Sequence, residues 1–311
     1  MNTKSIAIFG CTGHVGKNII YNFSREENFE LVLFSRNKEK IKKIISKNNF
    51  TNNSSIKNYE EFNESKYDVI INCIGISDPA KIESEKENIV KLTVDFDHLI
   101  LDYLKINPDV KLINFSSGAV YGEVINSPIN ETTLSNKVQE HNTNSQYAIA
   151  KIQSELRHRN LEKFNIVDLR LFSFFSRFMD LDTKFLISEI TSSIMKNKKF
   201  ITNEFDFYRD YIHPEDLCSL LKKCIDKDTI NDVFDLYSKK AVGKFELLNS
   251  LRDNFGLQYE IVSNSGFTSP TGFKKNYYSE SRKAKLLEFE PRYSSIETIV
   301  NEMKYFNSEI K

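Results

Sequence analysis

The stretch IAIFGCTGHVGKNII, residues 6–20, sets three of the chain's ten glycines within seven positions, between an apolar run and a helical pattern. Few arrangements use bare backbone so densely. A strand that enters a G-x-x-G-x-x-G turn and leaves it as a helix presents unpaired amides, and the positive end of a helix dipole, to an anion. Gly10 makes the tight turn, Gly13 admits a diphosphate against the backbone, and Gly16 lets helix and strand pack closely. With Thr12, His14 and Val15 these residues are predicted to hold a dinucleotide. The plain alternative is an ordinary strand-to-helix turn.

The rest of the first half fits that reading. Apolar runs at Ser5–Phe9, Glu30–Ser35, Asp68–Ile74, Lys111–Ser116 and Ile166–Phe172 alternate with helical patterns, which argues for a parallel sheet covered by helices. Between the third and fourth runs, Val90, Val94, His98, Leu101 and Leu104 share one face of a helix over Asn88–Lys105. Residues 126–145 read as a polar surface loop. After Ser173 the alternation loosens into helices at Phe185–Lys196, at Pro214–Ile225 and one ending near Gly256. Residues 1–172 are therefore assigned to a nucleotide-binding sheet, and 173–311 mostly to a smaller substrate lobe.

Charge separates function classes. Lys plus Arg number 43 and Asp plus Glu number 43, so no net field draws the chain to nucleic acid or an anionic membrane. No apolar stretch approaches the roughly 20 residues that span a bilayer, and no leader precedes the first strand. Cys11, Cys73, Cys218 and Cys224 show no ligand spacing, which argues against a metal and for reduced thiols. The expectation is a cytoplasmic protein.

The second run ends in LVLFSRNKEK, with Ser35 and Arg36 where an acid would bind ribose hydroxyls, and Lys38 and Lys40 close by. A hydroxyl and a guanidinium suit a 2′-phosphate, so NADP(H) is favoured over NAD. In YAIAK, Tyr147 and Lys151 lie one helical turn apart. Such pairs arise by chance, but this one follows the fourth long run and its FSSGAVYG ending. An ammonium 4 Å from the phenol would favour phenolate by roughly 4 kcal/mol at an effective dielectric of 20. That is about three pKa units, enough to bring a tyrosine from about 10 toward 7. Ser117, at a strand end, would hydrogen-bond a substrate oxygen.

Together FGCTGHVG, DVIINCIG, FSSGAVYG, YAIAK, RDYIHPEDL (209–217) and SESRKAKLLEFEPRYS resemble the extended short-chain dehydrogenase/reductases, the NAD(P)-dependent epimerase/dehydratase family acting on nucleotide sugars. The likeness spans nearly the whole chain. It implies a Rossmann-type doubly wound α/β sheet with a smaller C-terminal α/β lobe, residues about 209–236 returning to the sheet. It also implies Tyr147 as general acid/base, Lys151 on the nicotinamide ribose, and Cys73, Ile74 and Gly75 beside the cofactor. Ser116, Ser173 and Arg209 are assigned to the substrate, Arg209 to its diphosphate, and the chain is expected to form a homodimer.

Departures narrow the reaction. Dehydratases of the family follow the hydroxyl residue with Asp-Glu; this chain has Gly118 and Ala119, and Gly118 also excludes the cysteine of GDP-fucose synthases. Thr93 replaces a common helix asparagine, and Lys274 or Lys275 stands in for a C-terminal arginine. The leading expectation is an NADPH-dependent reductase of a 4-keto-sugar nucleotide. The alternatives are a 4-epimerase with tightly bound NAD and a non-catalytic NADP-binding sensor, the last disfavoured by the retained Tyr-Lys pair.

Overall fold

The structure, a computed structural model, describes residues 3–48, 50, 54–75, 86–122, 127–133, 143–263 and 274–307. Seven strands among them form one parallel sheet: β1 (Lys4–Phe9), β2 (Phe29–Phe34), β3 (Ser54–Lys57), β4 (Val69–Asn72), β5 (Lys111–Ser117), β6 (Ile166–Leu171) and β7 (Asn231–Asp235). Their spatial order is β7-β6-β5-β4-β1-β2-β3, so the order of strand addition reverses between β1 and β4, which pair in parallel. Helices α1 (His14–Phe23), α2 (Lys38–Lys47), α3 (Lys86–Ile106), α4 (Thr143–Arg159), α5 (Leu186–Met195), α6 (Pro214–Asp226), α7 (Lys244–Phe255) and α8 (Ser295–Asn307) complete the framework.

The pleat sorts the strand residues onto two cores. Ile6 and Ile8 pack with Ile19, Ile20 and Phe23 of α1 and Leu217, Leu220 and Leu221 of α6. Ala7 and Phe9, one position out of phase, pack with Ile100, Leu101 and Leu104 of α3. A third core joins α5, α7 and α8 through Ile190, Leu248 and Met303. The loop predicted at 126–145 yields to α4 from Thr143, and its residues 134–142 lie outside the described part.

Two polar devices lock the layers. Lys111, nearly buried at the start of β5, donates to the carbonyls of Cys224 at 2.8 Å and Ile225 at 3.2 Å, satisfying the C-terminus of α6 with a cation. Deeper in, His158 of α4 lies between Asp97 of α3 (2.8 Å) and Asp168 of β6 (2.9 Å). Asn114 donates to Asp168 at 2.7 Å and Asn72 to Asn114 at 3.0 Å, while Asn72 Oδ1 accepts the Ile74 amide at 3.1 Å. One buried chain therefore runs from α3 to the end of β4.

Burial alone would lower the pKa of His158, but Asp168 and Asp97 outweigh it and raise the group to about 9. Its bound proton stabilises the fold fully below the unfolded value near 6.5, and that contribution, about 3 kcal/mol, is lost as pH rises toward 9. The thermal midpoint is therefore expected to fall between about pH 7 and 9.5. His158→Gln, which leaves two carboxylates facing each other, is expected to melt lower at pH 7 and to lack that alkaline fall.

Candidate active site

β1 ends at the glycine turn. Gly10 has a φ of +72°, and a Cβ there would lie 2.8 Å from the backbone carbon and oxygen of Cys73. At Gly16 a Cβ would meet Gly10 O at 2.5 Å and Cys11 Cα at 2.7 Å. Both glycines are set by close approach of backbone. Gly13 caps α1 without a side-chain hydrogen bond, so the amides opening this ten-residue helix have no protein cap. A cradle that any side chain would fill, with uncapped amides at its mouth, fits a diphosphate. His14 contributes differently than expected: its Nε2 meets Ser176 Oγ at 2.7 Å. Ser176 Oγ already accepts from Asn18 Nδ2 (2.8 Å) and Phe178 N (3.2 Å), so its proton points to His14. Burial, then Lys17, holds His14 neutral with a pKa down to about 3.

At the end of β2, the expected Ser35–Arg36 pair divides. Ser35 is buried, its hydroxyl accepting from Asn37 N at 3.0 Å and lying 3.2 Å from Asn37 O. It closes a turn and has nothing left for a phosphate. Lys38 is likewise paired, with Glu61 at 2.6 Å. Arg36 and Lys40 remain as exposed cations.

α4 carries Tyr147 and Lys151 to the ends of β4 and β5. Lys151 is 3% exposed, and its ammonium donates to Phe115 O at 2.7 Å and Ile74 O at 3.4 Å. A Cβ on Gly75 would be 3.7 Å from the same nitrogen, so Ile74, Gly75 and Lys151 form one wall. The ammonium is 6.0 Å from the centre of the Tyr147 ring. The expected lowering of the phenol does not occur: burial, reinforced by Tyr277, pushes Tyr147 up to about 12, with Ser117 opposing. Lys151 is itself pushed down by burial, against Asp168, Asp97 and Glu155, which favour its charge.

Ser117 and Ser116 separate in the same way. Ser117 Oγ accepts from Ala119 N at 3.2 Å and lies 3.5 Å from the Tyr277 hydroxyl. Ser116 faces away, buried, and donates to Glu155 Oε1 at 2.5 Å, which corrects its assignment to the substrate. Glu155 in turn takes the Arg170 guanidinium, whose other end reaches Tyr121 at 2.6 Å. The next position is closed by packing. A Cβ on Gly118 would lie 2.4 Å from the Phe172 ring, which is held between Tyr121 at 6.1 Å and Tyr277 at 5.2 Å.

The opposite wall comes from short strands. Ser173 pairs with Tyr211, while Tyr277 and Val242 both pair with Arg209. Arg209 donates to the carbonyls of Tyr208 at 2.7 Å and Lys274 at 2.9 Å, and its charged neighbours include no carboxylate among the described residues. Burial lowers its pKa. Lys274 is nearly buried, its ammonium 4.5 Å from the centre of the Tyr277 ring, whereas Lys275 is exposed.

The family model described as the NAD dependent epimerase/dehydratase family matches residues 6–236. The chain belongs to this family. It is an NAD(P)-dependent enzyme of the extended short-chain dehydrogenase/reductase type, built on the expected Rossmann-like sheet. A curated family relative, GDP-6-deoxy-D-talose 4-dehydrogenase of Aggregatibacter actinomycetemcomitans, is 21% identical over 309 residues, covering 96% of each chain. Among solved structures, UDP-N-acetylglucosamine 4-epimerase of Methanobrevibacter ruminantium superposes with a TM-score of 0.83 at 18% identity, over 99% of this chain and 100% of that one. dTDP-glucose 4,6-dehydratase of Bacillus anthracis, solved with NAD, does so at 0.79 and 17%, with the same coverage. In this epimerase/dehydratase chain, Tyr277 is the wall residue that sequence reading missed. It stands 160 positions from Ser117, and only the pairing of its short strand with Tyr208–Arg209 carries it there.

The glycines yield a graded test. Gly13→Ala meets a single carbonyl at 3.2 Å and is expected to keep a thermal midpoint close to wild type while weakening NAD(P)H binding about tenfold. Gly16→Ala forces backbone apart and is expected to lower both, in thermal melts and fluorescence titrations.

Proposed function

We propose that this protein is an NADPH-dependent reductase of a nucleotide-linked 4-keto sugar. The observation that carries the reading is the contact between Gly118 and Phe172: at 2.4 Å from a virtual Cβ, the ring leaves no room for an acid beside Ser117. The site keeps hydroxyls for one reacting oxygen and lacks the flanking acid that elimination needs. The A. actinomycetemcomitans relative, a 4-dehydrogenase of a nucleotide-linked deoxy sugar, supports the same carbon and the reverse direction.

When bound, the reduced nicotinamide supplies the hydride. In this reading Tyr147, protonated at neutral pH because burial raises it to about 12, delivers the proton to the carbonyl oxygen. Ser117 donates a hydrogen bond to that oxygen. Lys151, fixed on Phe115 O and Ile74 O, holds the nicotinamide ribose at the wall formed with Gly75. Arg209, without a carboxylate, and Lys274 grip the substrate diphosphate, with Ser173 toward the sugar. Arg36 and Lys40, both exposed, would hold the 2′-phosphate. Residues 173–311, apart from the return at about 209–236, serve as the substrate lobe. The reading includes a homodimer through α3 and α4, on whose surface Leu156 is 60% exposed.

The second reading, a 4-epimerase, uses the same Ser, Tyr and Lys. Its support is the NAD held by the dehydratase of B. anthracis and by the UDP-glucuronic acid 4-epimerase of Bacillus cereus. Cofactor choice separates the two. With a GDP-linked 4-keto-6-deoxy sugar, NADPH is expected to be oxidised at least tenfold more efficiently than NADH, and Arg36→Ala to erase that preference by raising KM for NADPH. Equal rates, or copurified NAD with epimer exchange and no net redox, would favour the epimerase. Tyr147→Phe is expected to reduce turnover by about 10²–10⁴-fold with dinucleotide binding retained. Wild-type turnover in that variant would remove Tyr147 from the chemistry.

A further inference from the structure

Tyr277 touches both halves of the site. Its hydroxyl is 3.5 Å from Ser117 Oγ, while its ring is 4.5 Å from the Lys274 ammonium and 5.8 Å from the Arg209 guanidinium. The ring is fixed by the edge of Phe172 at 5.2 Å and by the register of Tyr277 on Arg209. A hydroxyl oxygen accepts two hydrogen bonds and donates one. Ser117 Oγ already accepts from Ala119 N at 3.2 Å and also hydrogen-bonds the Tyr147 phenol, so a proton donated by Tyr277 fills its second lone pair and leaves the serine proton on the Tyr147 side, where this reading puts the reacting oxygen. If Ser117 donated to Tyr277, it would have nothing for a substrate oxygen. Two cations at the ring draw electron density from the phenol and make it the stronger donor of the pair. A separation of 3.5 Å is long for a hydroxyl pair, and catalytic hydrogen bonds of this kind tighten in the Michaelis complex.

We infer that Tyr277 is a positioning residue: its phenol donates to Ser117 Oγ, aims the only Ser117 proton at the reacting oxygen, and ties that aim to the cations that grip the diphosphate. The inference rests on the reductase reading above. Through this one side chain, diphosphate binding and proton geometry are coupled.

The test is Tyr277→Phe, which keeps the ring and its cation contacts and removes only the hydroxyl. With the GDP-linked 4-keto-6-deoxy sugar and NADPH, kcat is expected to fall about tenfold. KM for the sugar nucleotide, the calorimetric Kd for GDP and the thermal midpoint should stay near wild type, KM and Kd within twofold. Tyr277→Leu, which removes the ring as well, is expected also to weaken GDP binding about tenfold. Unchanged kcat in Tyr277→Phe overturns the inference. So does a kcat loss matched by an equal loss of GDP affinity, which would mark a merely structural residue. Tyr147→Phe in the same assay tells the two ideas apart. If it is inactive while Tyr277→Phe turns over normally, only the positioning role falls; if it keeps full turnover, the reductase reading falls and takes this inference with it.

Discussion

The site depends on one buried ammonium. Lys151 has almost no contact with water, and a bare charge there would be expelled or neutralised. It is kept by the carbonyls of Phe115 and Ile74, at the ends of β5 and β4, and by the field of Asp168, Asp97 and Glu155. Those carbonyls lie at the carboxyl ends of β4 and β5, next to the reversal of strand order between β1 and β4, the end of an α/β sheet that binds ligands. Fixing the ammonium there fixes the rotation of α4 about its axis. One turn earlier on the same face comes Tyr147, which is thereby set beside Ser117. The His158 chain acts on the same helix from below, through Asp168 and the two asparagines that reach the Ile74 amide. Helix α4 and the ends of β4 and β5 are therefore tied together by directional bonds.

The same directional bonds explain why the phenol is not acidified. Spacing on a helix places two residues on one face, but an ammonium interacts through its N–H vectors, and these point at carbonyls. The ammonium is engaged by those carbonyls, and Lys151 is not among the groups that shift the phenol. A phenol pushed up by burial holds its proton firmly, which suits delivery of a proton to a developing alkoxide better than removal of one from an alcohol.

What the sequence disclosed was local. The five central strands announced themselves as apolar runs because both their faces are covered, and the glycine turn because its spacing is set by backbone collision. β3 (SSIK) and β7 (NDVFD) are edge strands, half exposed over much of their length, so their composition reads as polar linker. Ser35 and Ser116 were assigned by residue type, yet their hydroxyls had nearer partners. For Ser35 the partner is Asn37, two positions on, a turn that composition can suggest; for Ser116 it is Glu155, 39 positions on, which no local pattern reveals. Tyr277 belongs to that second kind.

Gly118 illustrates how packing removes a chemistry as firmly as a substitution does. The absence of an acid at that position is visible in the sequence, but sequence alone leaves open whether one could be restored. Phe172 closes the question, because its ring occupies the volume of any side chain at 118 and is itself wedged between Tyr121 and Tyr277. Tyr121 is bound to Arg170 and Asp235, and Tyr277 to the strand of Arg209, so moving the ring would disturb a buried ion network on one side and the cation pair on the other. The aromatic plug that excludes an acid also holds in place the residue next to Ser117. Exclusion of a side chain at 118 and placement of Tyr277 are two consequences of the same ring.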